Sequence, residues 1–207
     1  MAVIECFGVI TEDFASDLRK AINAVPAADP IDLRIASPGG LLHAGITCHN
    51  LLASSKRHVN AYLEGDVFSA GTLLVCAADY AEAPSNALMM IHDPWIPPTS
   101  EMVTLATAER DFGYLKATKD QVLGVYAGAT KQPRNALSRM MQVETYLDAE
   151  AACRMGFINN VISARRDVQN GALEEYTARD RDKLAQMLGA RHVPVDVDHL
   201  KTKYGVK

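Results

Sequence analysis

The 207-residue sequence lacks several features that would each have pointed to a function class. There is no excess of positive charge: 21 Lys and Arg stand against 25 Asp and Glu, a net charge of −4. That leaves no electrostatic footprint for nucleic acid or for an anionic membrane surface. Cysteine is sparse, and Cys6, Cys48, Cys76 and Cys153 lie far apart with no CxxC pair. Three of them sit in apolar helix or strand surroundings, which reads as reduced, buried, intracellular thiols. No charged-then-apolar leader and no run of about 18 apolar residues occurs, so neither export nor a membrane span is indicated. A cytoplasmic globular protein is expected. None of the six histidines falls in HExxH or another zinc spacing, and neither GxGxxG nor a Walker lysine is present. Neither a metal nor a cofactor is expected.

What is present is a repeated alternation of strand and helix, in a chain 48% hydrophobic and long enough for one sizeable core. Residues 3–10 read as a strand with Gly8 as its weak point. A helix capped by Thr11 or Asp13 then runs to about Val25, with Phe14, Leu18 and Ile22 on one face. Residues 31–35 alternate as a strand, Ser37-Pro38-Gly39-Gly40 turns the chain, and a helix spans 41–54. A strand over 59–64, ended by Gly65, precedes an apolar helix over 70–78. Short strands follow at 80–83 and 87–91. Pro94, Pro97 and Pro98 make a loop beside His92. A long helix is expected over 101–126, stopped by Gly128, with an incomplete apolar stripe suited to packing on a partner. Helices at 133–142 and 149–155, the second capped by Asp148 and stopped by Gly156, precede a last strand at 157–162. Beyond Arg165 the composition turns to mixed charge, with one amphipathic helix over 173–188. The pattern predicts a layered α/β domain over 1–164 with largely parallel strands, and a charged, partly helical extension over 165–207.

The candidate chemistry centres on Gly65-Asp66-Val67-Phe68-Ser69-Ala70-Gly71 and His92. A serine at a strand-to-helix turn has its side chain held up, with free amides and the positive helix end beside it. Ser69 is equally well placed to be an N-cap. His92 ends the following strand, where it can serve as a base or as a structural histidine. Ser37-Pro38-Gly39-Gly40 should lie at the carboxyl edge of the sheet, where α/β folds place ligands. There the amides of Gly40 and Ala70 can face a developing oxyanion; alone, the glycine pair is simply a tight turn.

Four motifs recur in one order: Ile35-Ala36-Ser37-Pro38-Gly39-Gly40, Gly65-x-x-x-Ser69-Ala70, Met90-Ile91-His92-x-Pro94, and Tyr146-Leu147-Asp148-Ala149-Glu150-Ala151-Ala152 with Gly156-Phe157-Ile158. Together they resemble the Clp-type serine peptidases (ClpP), over about residues 3–163. The likeness is greatest to the ClpP-like branch of phage and prophage head maturation proteases. The resemblance implies a ClpP/crotonase-like spiral of strand-helix units with a long handle helix. It implies a serine endopeptidase that processes phage head or scaffold proteins, in a bacterial or phage-infected cell. Ser69 is the implied nucleophile, His92 the general base, and the amides of Gly40 and Ala70 the oxyanion hole.

The family's acid aligns with Glu144, which is alternatively a surface glutamate on a turn; Asp93, next to His92, should point to the other side of its strand. Gly39, Leu41 and Trp95 are the implied substrate-binding residues, although the apolar loop at Trp95 is open to a packing role. A ring-type homo-oligomer through the 101–126 helix and protein or peptide substrates are implied, with no nucleic acid or membrane partner. The first strand starts by residue 3 and leaves no length for the family's unfoldase-docking segment, so no stable unfoldase complex is expected. The alternatives are a catalytically impaired ClpP-like scaffold subunit and a crotonase-type acyl-CoA enzyme.

Overall fold

The computed structural model describes residues 2–97 and 104–164. In chain order the elements are β1 (Ala2–Phe7), α1 (Glu12–Ala24), β2 (Ile31–Ser37), α2 (Leu42–Ala53), β3 (Val59–Phe68) and α3 (Thr72–Val75). Then come β4 (Tyr80–Pro84), β5 (Leu88–Ile91), α4 (Leu105–Thr130), α5 (Arg134–Gln142), β6 (Thr145–Asp148), α6 (Ala149–Met155) and β7 (Asn160–Ile162). A 3-10 turn, Ser69–Gly71, joins β3 to α3.

The sheet is built around β3. Strands β1, β2, β3, β4 and β7 pair in that order, all parallel. The first half of β3 pairs with β4, and its last two residues, Val67 and Phe68, pair with Met89 and Met90 of β5. Antiparallel β6 then closes on β5. Between Ile35↔Leu63 and Ser37↔Val67, β3 takes four steps where β2 takes two. Such a bulge bends a strand and re-aims the residues beyond it. Here it delivers the end of β3, and so Ser69, onto β5.

Burial follows the sequence pattern. Ile31, Leu33 and Ile35 of β2 are fully buried, each contributing about 1.5–3 kcal/mol of apolar transfer. Leu18 and Ile22 of α1, with Cys48 and Leu52 of α2, belong to the same core. Thr11 caps α1 through a hydrogen bond from Phe14 N–H, and Arg57 donates to the carbonyls of Ile22 and Val25 at its far end. Helix α4 is exposed over its first half and buries Thr118, Val122, Leu123, Tyr126 and Thr130 in its second.

Several expectations need correction. The first strand stops at Phe7 because Gly8 turns at φ +90; Ile10 rejoins only as an isolated bridge to Gly40. Gly65 does not end β3, since it sits within the bulge with open space around it. The helix expected over 70–78 is only the 3-10 turn and the four residues of α3. Thr104 caps α4 with a reciprocal bond to Thr107, so the helix does not begin at Glu101. Nor does Gly128 stop it: α4 continues to Thr130, and Lys131 adopts the left-handed conformation that ends it. Residues 145–148, where no strand is expected, form β6, with Asp148 also capping α6. Only Asn160–Ile162 of the expected last strand pairs, while Phe157 and Ile158 are core. The helix expected over 173–188 lies outside the described residues.

Candidate active site

Phe68 ends β3 in extended backbone, and Ser69 then turns to φ +52. The left-handed region costs a residue with a Cβ about 1–3 kcal/mol, so the surroundings must hold it there. They do so from two sides. Thr72 bonds the Ser69 carbonyl through both its N–H and its hydroxyl, the latter at 2.6 Å. On the other side lies Gly39, at φ +93; a Cβ there would fall 2.7 Å from Ser69 Cβ and 2.9 Å from the Phe68 carbonyl oxygen. Only glycine fits.

Ser69 Oγ lies 2.7 Å from His92 Nε2, within strong hydrogen-bond range. With the imidazole neutral and its proton on Nδ1, the hydroxyl donates to Nε2. The two side chains, 23 positions apart, meet because β5 pairs directly with the last residues of β3.

The glycine pair is fixed by Ile10, three residues past the end of β1. Ile10 N–H donates to Gly39 O at 2.8 Å, and Leu41 N–H donates to Ile10 O at 2.8 Å. In such a parallel bridge the amide of the intervening residue, Gly40, faces away. Among the described residues nothing accepts it. A Cβ on Gly40 would fall 2.2 Å from the Ile10 carbonyl oxygen, so this approach also requires glycine. Buried Ser37 donates to Gly8 O at 2.7 Å and accepts from Gly39 N–H at 3.1 Å, which holds the turn's entry. Ala70 is buried in the first turn of the 3-10 segment, where amides have no intrahelical acceptor. The helical run behind it is too short to lend much dipole, so the individual amides carry the electrostatic case.

Glu144 is not bonded to His92 among the described residues. Its Oε1 accepts the Tyr146 hydroxyl at 3.1 Å, and the side chain is exposed. Partial burial, and then this bond, shift the Tyr146 phenol upward. Yet the backbone lies close: Met141 O accepts from both Asp93 N–H and Glu144 N–H. The β5–β6 register, 88↔148 to 91↔145, carried one step further sets Glu144 opposite His92. Asp93 instead pairs with Lys119 of α4 at 2.8 Å, and its buried Oδ1 has no partner among the described residues. Leu41 is half exposed beside Gly40, and Trp95 stands 72% exposed three residues past His92.

Burial pushes the thiols of Cys6, Cys48 and Cys76 up to about 12, 11 and 12, so they stay protonated and poor nucleophiles at neutral pH. Among the described residues no group of three or more His, Cys, Asp or Glu gathers as a metal site. No described helix is long and apolar enough to cross a membrane. The sequence carries no signal for Thr72, Tyr126 and Lys119, whose partners lie up to 54 positions away, or for the bond by which Ser37 holds Gly8.

Comparison with known proteins bears on family and fold. The profile of the Clp protease family matches residues 2–165. The chain is 28% identical over 166 residues to the ATP-dependent Clp protease proteolytic subunit 1 of Chlamydia pneumoniae, covering 77% of this chain and 85% of that protein. It is 27% identical over 139 residues to the ATP-dependent Clp protease proteolytic subunit of Bdellovibrio bacteriovorus, covering 66% of each. A solved mutant ClpP1 from Listeria monocytogenes superposes with a TM-score of 0.70 at 26% identity, over 79% of this chain and 92% of that one. A family match that spans the whole described domain, on a fold shared with a solved ClpP, identifies the chain as a member of the Clp protease family.

Proposed function

We propose that this protein is a serine endopeptidase in which Ser69 is the nucleophile and His92 the general base. The observation that carries the reading is the 2.7 Å contact between Ser69 Oγ and His92 Nε2, made by a serine whose backbone is held at φ +52. Ser69 Oγ attacks the peptide carbonyl as its proton passes to Nε2. The C–N bond breaks as that proton goes to the leaving amine. Water, deprotonated by the same imidazole, then releases the acyl group and restores the hydroxyl. The amides of Gly40 and Ala70 receive the negative oxygen, each lowering the barrier by about 2.7–4 kcal/mol. Glu144 enters as the orienting acid by exchanging Tyr146 for His92 Nδ1. Gly39, Leu41 and Trp95 form the substrate wall.

The catalytic unit in this reading is 1–164, with 165–207 a separate extension. Helix α4 serves ring-type self-assembly, its exposed Leu105 and Phe112 lying seven residues apart on one face. The substrates we assign are scaffold or capsid-type proteins of a phage head, supported by the motif order alone. Peptide hydrolysis requires no ATP-driven partner. The Glu144–Tyr146 contact also favours a second reading, a scaffold subunit that has lost activity. An acyl-CoA role leaves the serine–histidine contact without a purpose.

Steady-state hydrolysis of a fluorogenic peptide and of a purified phage scaffold protein, without ATP, tests the proposal. Activity in the wild type, discrete scaffold fragments, and a loss of about 10⁴-fold or more in Ser69→Ala are expected. Equal hydrolysis by both proteins contradicts it, and an inert but folded wild type favours the scaffold subunit.

A further inference from the structure

Tyr126 is a buried ionisable group for which the reaction above has no use. It lies on α4, is 2% exposed, and its hydroxyl is 2.7 Å from Thr72 Oγ1. Thr72 Oγ1 is in turn 2.6 Å from the Ser69 carbonyl oxygen. Counting protons fixes their directions. A carbonyl oxygen can only accept, so the single proton of Thr72 goes to Ser69 O. The Tyr126 hydroxyl must then be the donor to Thr72. Burial holds the Tyr126 phenol well above its usual range, so it remains a donor throughout neutral and mildly alkaline pH.

The Ser69 carbonyl belongs to the same rigid peptide plane as the Ala70 N–H, and in a trans peptide the two point in opposite directions. Gripping the oxygen therefore aims the amide. Two hydroxyls in series also polarise that peptide and strengthen its N–H as a donor.

We propose that Thr72 and Tyr126 are positioning residues that aim the Ala70 amide at the developing oxyanion, acting through the Ser69 carbonyl. This rests on the serine-peptidase reading. The relay bears on the transition state and not on the bound substrate, so its loss should appear in kcat and leave KM in place.

The test is peptide hydrolysis by wild type, Thr72→Val, Thr72→Ser and Tyr126→Phe, with the affinity of a peptide boronate as a measure of the oxyanion site. Thr72→Val is expected to lower kcat about ten- to hundredfold, short of the full loss of an oxyanion donor, with KM changed less than about twofold. Boronate affinity should fall in parallel. Thr72→Ser should restore kcat to within about threefold, and Tyr126→Phe should lower it about three- to tenfold. If Thr72→Val does not fold, Tyr126→Phe decides, because it removes only one oxygen. An active wild type with folded variants whose kcat and boronate affinity are unchanged overturns this inference alone. A wild type with no Ser69-dependent activity overturns the reading beneath it as well.

Discussion

Ser69 and Glu144 are both non-glycine residues in the left-handed region, at φ +52 and +51. Backbone conformations of this kind persist only where neighbours impose them, and they gather at functional sites. For Glu144 the imposing contacts are its N–H bond to Met141 O and the start of β6, which together leave it across from His92. Its carboxylate is instead taken up by Tyr146. Tyr146→Phe removes that competing donor, and kcat for peptide hydrolysis should hold or rise. Glu144→Gln should lower kcat about 10²–10⁴-fold, the scale of losing an orienting acid. If Glu144→Gln is neutral, a serine–histidine dyad does the work and Glu144 drops out of the mechanism. At this scale the sequence was legible where residue type and turn geometry coincide, as at Gly39, Gly40 and Ser69. It was silent on Thr72 and Tyr126, because a buried hydroxyl pair made across 54 positions has no periodicity to read.

Among the elements, β3 and α4 set the site. β3 delivers Ser69, the proposed nucleophile, only because its bulge carries it past Gly65 and onto β5. A glycine inside a strand signals either a break or a bulge, and only the partner strands decide between them. β6 escaped notice for a related reason: four residues with one buried position make no clear alternation, and its partner β5 lies far back in the chain. In α4, packing of Tyr126 and Thr130 outweighs the roughly 1 kcal/mol that Gly128 costs a helix interior. Lys119, two turns before Tyr126, ties the same helix to Asp93, the neighbour of His92. Lys119→Met would strand a carboxylate that already has one buried oxygen without a partner among the described residues. We expect a loss of about 1.5–3 kcal/mol, a melting temperature lower by about 3–10 °C, and a fall in kcat. Unchanged melting and unchanged kcat would show that the pair does not hold the loop.

For the whole molecule, alternating strands and helices with caps at Thr11 and Asp148 made the α/β class and most element positions readable in advance. Membership of the Clp protease family fits both the described fold and the motif order. The family match leaves the chemistry of this chain to be established, and the proposed chemistry turns on one hydroxyl. The most direct measurement is the intact mass of the native protein, in whatever assembly it forms, after exposure to a fluorophosphonate. The account predicts one adduct per chain on Ser69, formed slowly or not at all in His92→Ala and absent in Ser69→Ala. A folded wild type that takes up no adduct, or a Ser69→Ala chain that takes up as much, would contradict it.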